Sequence, residues 1–501
     1  MTNINLSSYP AAVKFGTSGW RAPIADGFTA FNLQRLTQAL LSHIIENPEY
    51  GFQGDQYRRH LKEKGLKHKK PLVIVGYDTR FMSEQFARLV ADVLASNAVS
   101  VKLAQNPAPV PAVAFAVVKY GAVGGVTITA SEGRHFLSGF KWTPFWGGPA
   151  IPEVTEDIEK RLHGTISSVN RAGLHEFAFN SPLVEPVDIS ECYLQHIETL
   201  IDFKRIKKAG LKICVDPLFG SAISYLRPLL ERAGLKPDGI HEYRDVLFGG
   251  KPPYTGPDSL ADLSKRVTGN RLDIGVACDC DGDRFGIIDS DGNWISPNEV
   301  LALALDHLVR NRGMKGRVCR SVVTSHFVDA VARSHGLEIR ETPVGFKFVG
   351  ELMRTGNYII GGEESGGFSI LGHVPEKDGM LACMLIIEML AYDKKPLKKI
   401  RQDLHKRLGE FFSVKTSMPI MDDMERMIER LTLKPPLALA GFSVWRIDQT
   451  DGFKFILRDG SWLGLRPSGT EPMVRIYAEA TGQKKLDQLV QAGKEIIKGK
   501  F

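Results

Sequence analysis

Leu72-Val73-Ile74-Val75-Gly76-Tyr77 is an uncharged, mostly apolar run that leads into the turn Asp78-Thr79-Arg80. Such a run predicts a strand buried on both faces. Beyond the turn, Phe86, Leu89, Val90, Val93 and Leu94 recur at helical spacing, so one helix face is apolar. A second strand is expected over residues 99–103. Strand, helix and strand within about thirty residues form a right-handed βαβ unit with parallel strands. This unit sets the fold class as α/β.

The design recurs. Residues 110–120 read as a helix and 125–129 as a strand, while 211–215 lead through Asp216 to a helix carrying Leu226, Leu229 and Leu230. Residues 318–323 lead to a helix carrying Phe327, Val328 and Val331. Repetition at such wide intervals implies three similar mixed α/β domains rather than a short-period solenoid. The end differs: residues 442–447, 453–457 and 462–465 alternate in strand fashion, Asp459-Gly460 reads as a hairpin turn, and 486–497 as a closing helix. That is a small antiparallel α+β domain. The expected divisions are 1–180, 181–296, 297–410 and 411–501. Before the first strand, 31–45 reads as a helix and the polar stretch 46–70 as an exposed, irregular insertion.

Composition supports several domains, since 501 residues exceed what one core organises. A hydrophobic share of 43% and a charged share of 24% are ordinary for a globular chain. The net charge of +7 arises partly from Lys62, Lys64, Lys67, Lys69 and Lys70, which read as a solvated face rather than a nucleic-acid footprint. Six cysteines without C-x-x-C spacing read as buried free thiols of a reducing, cytoplasmic setting. Residues 1–14 lack signal-peptide character, and Glu388 interrupts the longest apolar helix candidate, 381–390, so neither a leader nor a membrane span is expected.

Five stretches could carry chemistry. Asp279-Cys280-Asp281-Gly282-Asp283-Arg284 follows an apolar run and crowds three carboxylates, which a hard divalent ion such as Mg²⁺ would neutralise. An EF-hand needs Gly at the sixth and Glu at the twelfth position, where this chain has Arg284 and Ser290. The plainer alternative is a solvated acidic turn before a hairpin over 285–294. Arg466-Pro467-Ser468-Gly469-Thr470-Glu471-Pro472 offers a guanidinium, two hydroxyls and exposed backbone N–H groups, suited to a phosphate dianion but also to a hairpin exit. Gly361-Gly362-Glu363-Glu364-Ser365-Gly366-Gly367 places Glu363 and Ser365 where sugar hydroxyls could be held, or forms a surface turn. Gly345-Phe346-Lys347 contributes one cation. In the stretch from Thr127 to Lys141, Ser131 stands just past a strand with Arg134, His135 and Lys141 nearby; a nucleophile or a simple turn serine fits.

The order of these loops resembles the α-D-phosphohexomutase superfamily over nearly the whole chain, beginning with Phe15-Gly16-Thr17-Ser18-Gly19-Trp20-Arg21. The resemblance implies four domains around a central cleft and reversible phosphoryl transfer between the 1- and 6-oxygens of a hexose. Ser131 would carry the phosphoryl group; Asp279, Asp281 and Asp283, with Ser131, would hold Mg²⁺. Glu363 and Ser365 would hold sugar hydroxyls; Arg466, Ser468, Gly469 and Thr470 would hold the remote phosphate. Arg21, Arg284 and Lys347 would add positive charge, and Lys141 or His373 would serve as general acid or base. A sugar bisphosphate activator is implied as well. The glucose 1-phosphate to glucose 6-phosphate reaction is what the resemblance implies, because the Glu-Glu-Ser pattern is similar to that of glucose-preferring members, with mannose a further candidate and glucosamine or pentose phosphates the alternatives. One loop departs from the family: after Thr129-Ala130-Ser131, the usual His-Asn-Pro is replaced by Glu132-Gly133-Arg134, and Ser138 stands for the usual Asn. Glu132 puts an anion beside a residue meant to carry a dianion, so an impaired, sugar-phosphate-binding homologue is the non-catalytic alternative. No nucleic-acid or membrane partner is expected.

Overall fold

A computed structural model describes residues 13–16, 19–162, 181–420, 424–467 and 473–499. Its strands form four sheets. In the first, Gly124–Ile128, Leu72–Tyr77, Ser100–Ala104 and Val184–Val187 run parallel, and Leu137–Pro144 and Trp20–Pro23 are added antiparallel beside Gly124–Ile128. In the second, Ile274–Cys278 pairs parallel with Ile213–Asp216 and antiparallel with Phe285–Asp289. In the third, Tyr358–Gly362 pairs parallel with Arg317–Ser321 and antiparallel with Phe368–Ile370. The fourth sheet, from Phe412–Pro419 to Ala438–Leu439, is antiparallel throughout.

The three mixed sheets share one device. A central parallel strand ends in a loop, and the chain returns as an antiparallel neighbour. The serine loop joins Gly124–Ile128 to Leu137–Pro144, the acidic loop joins Ile274–Cys278 to Phe285–Asp289, and the Glu-Glu-Ser loop joins Tyr358–Gly362 to Phe368–Ile370. Loops at the carboxyl ends of parallel strands are where ligands of open α/β sheets gather.

One continuous core runs through the first three sheets. Helix Gly379–Asp393 lies within it, with thirteen of its residues buried, from Gly379 to Ala391. The charge on Glu388 is accommodated there by hydrogen bonds from Asp202 N at 2.8 Å and with His307 Nε2 at 3.0 Å. The fourth sheet has a core of its own, including Phe455, Leu463, Ile476 and Leu489.

The stretch 46–70 is not an irregular insertion. Asp55–Glu63 is a helix, anchored by Tyr57, which is fully buried and donates to Gly121 O at 2.8 Å. Tyr57 and the half-buried Leu61, one turn apart among charged residues, carry too little periodic signal to be recognised from sequence. All six cysteines are free, with Cys192 half-buried and the others buried. Among the described residues no helix is long and apolar enough to cross a membrane.

Candidate active site

The serine loop of the first sheet and the acidic loop of the second meet through side-chain hydrogen bonds. Ser131 Oγ donates to Asp279 Oδ2 at 3.0 Å, and Thr129 Oγ1 to Asp281 Oδ2 at 3.1 Å. Ser131 is buried and adopts φ +52°, the left-handed region that costs a non-glycine residue ~1 kcal/mol or more. Its loop is held from behind by Arg80, which is fully buried. Arg80 Nη2 donates to the carbonyls of Ser131 and Gly133, and Nη1 to those of Arg134 and Leu137. On the other flank, Gly139 is required, because a Cβ there would lie 2.5 Å from Thr129 O and 2.6 Å from Trp20 O.

The acidic loop is tied down by backbone bonds from three directions: Val110 N to Asp281 O, Ser221 N to Cys280 O, and Gly379 N to Gly282 O. Ligand atoms of Asp279, Asp281 and Asp283 lie within 4.8 Å of one another, and all three residues are buried. Lys141 Nζ donates to Asp281 Oδ2 at 2.6 Å and to Asp283 Oδ2 at 2.8 Å; Lys377 Nζ lies 3.0 Å from Asp283 Oδ2. Burial, then the charges of Asp281 and Asp283, push the Asp279 carboxyl well above the usual carboxylate range. Burial also opposes charge on Asp283, but Lys141, Lys377 and Arg284 outweigh it and hold that carboxyl well below the range. Asp281 Oδ1 and Asp283 Oδ1 are buried and find no hydrogen-bond partner among the described residues. Three convergent carboxylates with two such oxygens fit a hard divalent cation.

Glu132 is neutralised rather than left beside the serine as a bare charge: Arg284 Nη1 is paired with Glu132 Oε2. Both side chains line a cleft of about 410 Å³, with Arg21, Lys377, Glu363 and Ser365. Glu363 Oε1 accepts from Gly345 N at 2.7 Å, and burial, followed by the charge of Glu364, raises its carboxyl to about 7. Lys415 and Arg475 of the fourth sheet also line the cleft.

Three expected residues do not line this cleft. His373 is not among the cleft residues: its ring stacks on His196, with Nδ1 3.0 Å from His196 Nε2. Lys347 places its ammonium over the Phe348 ring, and only Gly345 and Phe346 of that stretch line the cleft. Arg466 Nε donates to both oxygens of Asp451, each at 2.9 Å. Ser468, Gly469 and Thr470 lie outside the described residues, as do Thr17 and Ser18. Lys377 was the residue most easily overlooked. It follows Glu376, four positions after His373, and only the fold shows it turning to Asp283.

Residues 53–167, 191–292 and 296–408 match the family models for phosphoglucomutase/phosphomannomutase alpha/beta/alpha domains I, II and III, and residues 419–495 match its C-terminal domain. The chain belongs to the α-D-phosphohexomutase superfamily. Its members are phosphohexomutases, isomerase-class phosphotransferases. A phosphoglucomutase/phosphomannomutase of Thermococcus kodakarensis is 29% identical, covering 90% of this chain and 94% of that protein. A phosphoglucosamine/phosphogalactosamine mutase of Sulfurisphaera tokodaii is 30% identical, covering 86% and 92%. A crystal structure described as that of a phosphomannomutase from Thermus thermophilus superposes with a TM-score of 0.79 at 29% identity, covering 98% of this chain and all of that one.

Proposed function

We propose that this phosphohexomutase is Mg²⁺-dependent and interconverts glucose 1-phosphate and glucose 6-phosphate, with mannose phosphates as secondary substrates, through a phosphoryl group on Ser131. The observation that carries the reading is the bond of Ser131 Oγ to an acid triad in which two buried carboxylate oxygens accept no hydrogen bond among the described residues. When bound by Asp279, Asp281 and Asp283, the cation would neutralise the phosphoserine. An all-oxygen donor set favours Mg²⁺ over softer metals.

Lys141 keeps its charge, because Asp281 and Asp283 more than offset its burial, so it serves as a proton donor and counter-charge rather than as a base. In the forward direction the bond from Ser131 Oγ to phosphorus breaks as the sugar hydroxyl oxygen bonds to phosphorus, and the hydroxyl's proton passes in net to Ser131 Oγ, giving a bisphosphorylated sugar and a free serine. That sugar reorients and returns its other phosphate to Ser131; a trace of the same bisphosphate primes the enzyme. Glu363 and Ser365 hold the hydroxyls in both orientations. Arg466 and residues 468–470, with Lys415 and Arg475, hold the phosphate that is not reacting. Arg21, Arg284 and Lys377 keep the cleft positive. The free cysteines suit a cytoplasmic setting.

A second reading, an amino-sugar phosphate mutase, is favoured by the Sulfurisphaera relative and by Glu132, Glu363 and Glu364 in the cleft, which could meet an ammonium. A coupled assay with Mg²⁺ and a trace of glucose bisphosphate should give turnover that falls more than ~10³-fold in Ser131→Ala and disappears in EDTA. Equal product from the wild type and Ser131→Ala would overturn the mutase reading. A higher kcat/KM for glucosamine 1-phosphate than for glucose 1-phosphate would select the second one.

A further inference from the structure

A second cavity, of about 510 Å³, opens at the seam between the first and third sheets' domains and shares none of the cleft's residues. Its rim carries the exposed cations Arg59 and Lys64 beside the acid Glu63, together with Arg354, whose guanidinium is held by Glu351. Its wall is aromatic: Phe115 stacks on His196 with ring centroids 4.2 Å apart at 15°, His196 stacks on His373, and Phe145 and Trp146 close the side. His60 Nε2 also faces no partner, being buried and without a hydrogen bond among the described residues.

Cations at a rim recognise phosphate, and flat rings recognise a flat ring by stacking. Carboxylates of the kind that grip sugar hydroxyls in the cleft are represented here by Glu63 alone. The volume falls within the ~300–1,000 Å³ of ordinary small-molecule sites. The wall also reaches the acidic loop. His373 Nε2 lies 2.9 Å from Asp378 Oδ2, which accepts from Tyr193 OH at 2.7 Å. The neighbours of Asp378 then touch the triad's loop, Lys377 through Asp283 and Gly379 through Gly282 O.

We propose that this cavity is a second ligand site, for a nucleotide phosphate, linked to the acidic loop through residues 373–379. The test uses the full chain, calorimetric titration with AMP, and glucose 1-phosphate present in excess to fill the cleft. AMP is expected to bind, and Arg59→Ala/Lys64→Ala, which alters two exposed side chains outside the catalytic machinery, should weaken it about tenfold or more. Amide exchange across residues 279–284 should slow when AMP is bound. The proposal is overturned if AMP does not bind, if the double variant binds it equally well, if inorganic phosphate binds as tightly as AMP, or if exchange in 279–284 is unmoved. None of these readouts requires turnover, so their failure is separate from failure of the mutase reading.

Discussion

At the scale of single residues, the site is a balance of buried charges. Ser131 sits in a strained conformation that Arg80 stabilises through carbonyls on both sides of the serine loop, so the altered sequence Glu132-Gly133-Arg134 is accommodated by main-chain bonds that do not depend on side-chain identity. Glu132 is satisfied by Arg284, and a phosphate on Ser131 would compete for the same guanidinium. Glu363 provides the sharpest test of electrostatics in the cleft. Its carboxyl, raised to about 7 by burial and then by Glu364, is largely protonated below neutrality and ionises above it. A carboxylate accepts from sugar hydroxyls more strongly than a neutral carboxyl, by about 1.5 kcal/mol, so kcat/KM should climb by about tenfold as pH rises through 7. Glu363→Gln should lower kcat/KM and remove that rise, leaving only the titration of the substrate phosphate. A variant profile that keeps the full rise would show that another group is responsible.

At the scale of elements, the helices and parallel strands were readable because their apolar positions repeat, as in Leu72–Tyr77 and Ser83–Ala95. What was not readable is the way each chemical loop continues. Residues 137–144 interleave Ser138, Lys141 and Thr143 with apolar residues, and they form a buried strand in which those three side chains are enclosed by other elements rather than by solvent. The same holds for Met473–Ala480, whose Arg475 and Glu479 disguise a central strand and point to the cleft and to Trp462 respectively. The chemical stretches were legible as residue patterns, but the meeting of the serine, acidic and Glu-Glu-Ser loops in one cleft required the hairpin returns, and the placement of His373 and Lys377 required the tertiary path of 372–379. The Asp55–Glu63 helix tests how far its one fully buried side chain, helped by the half-buried Leu61, holds an otherwise polar element. Tyr57→Ala removes a fully buried ring and its bond to Gly121 O, so global stability should drop by about 3 kcal/mol or the helix should detach locally. Urea unfolding together with amide exchange over residues 55–63 separates the two, and an unchanged result in both would refute the anchor.

At the scale of the molecule, three sheets share one core while the fourth keeps its own and meets the third through a seam in which a small apolar cluster, Val322, Val323, Ile456, Trp462 and Tyr477, adjoins polar contacts. Lys454 lies at its centre. Its ammonium donates to Val322 O at 2.6 Å, lies 2.9 Å from His326 Nε2 and sits 4.5 Å over the Trp462 ring. Burial, then the charge of Arg320, brings Lys454 down to about 8 from its ordinary 10.5, so above that point the folded chain gives up a proton that the unfolded chain retains. Stability therefore rises with pH between about 8 and 10.5, and the cost of burying the charge is felt in full below about 8. Between about pH 7.5 and about 9.5 this linkage is worth roughly 1 to 2 kcal/mol. Lys454→Met keeps the aliphatic stem over Trp462 and loses the titrating group. The difference in stability between variant and wild type should narrow or reverse in favour of the wild type as pH is raised across that interval, read as urea midpoints for both proteins. Parallel pH dependence in the two would mean that the seam's charge is carried by another group, with His326 and Glu341, the neighbours of Lys454, the next to be replaced.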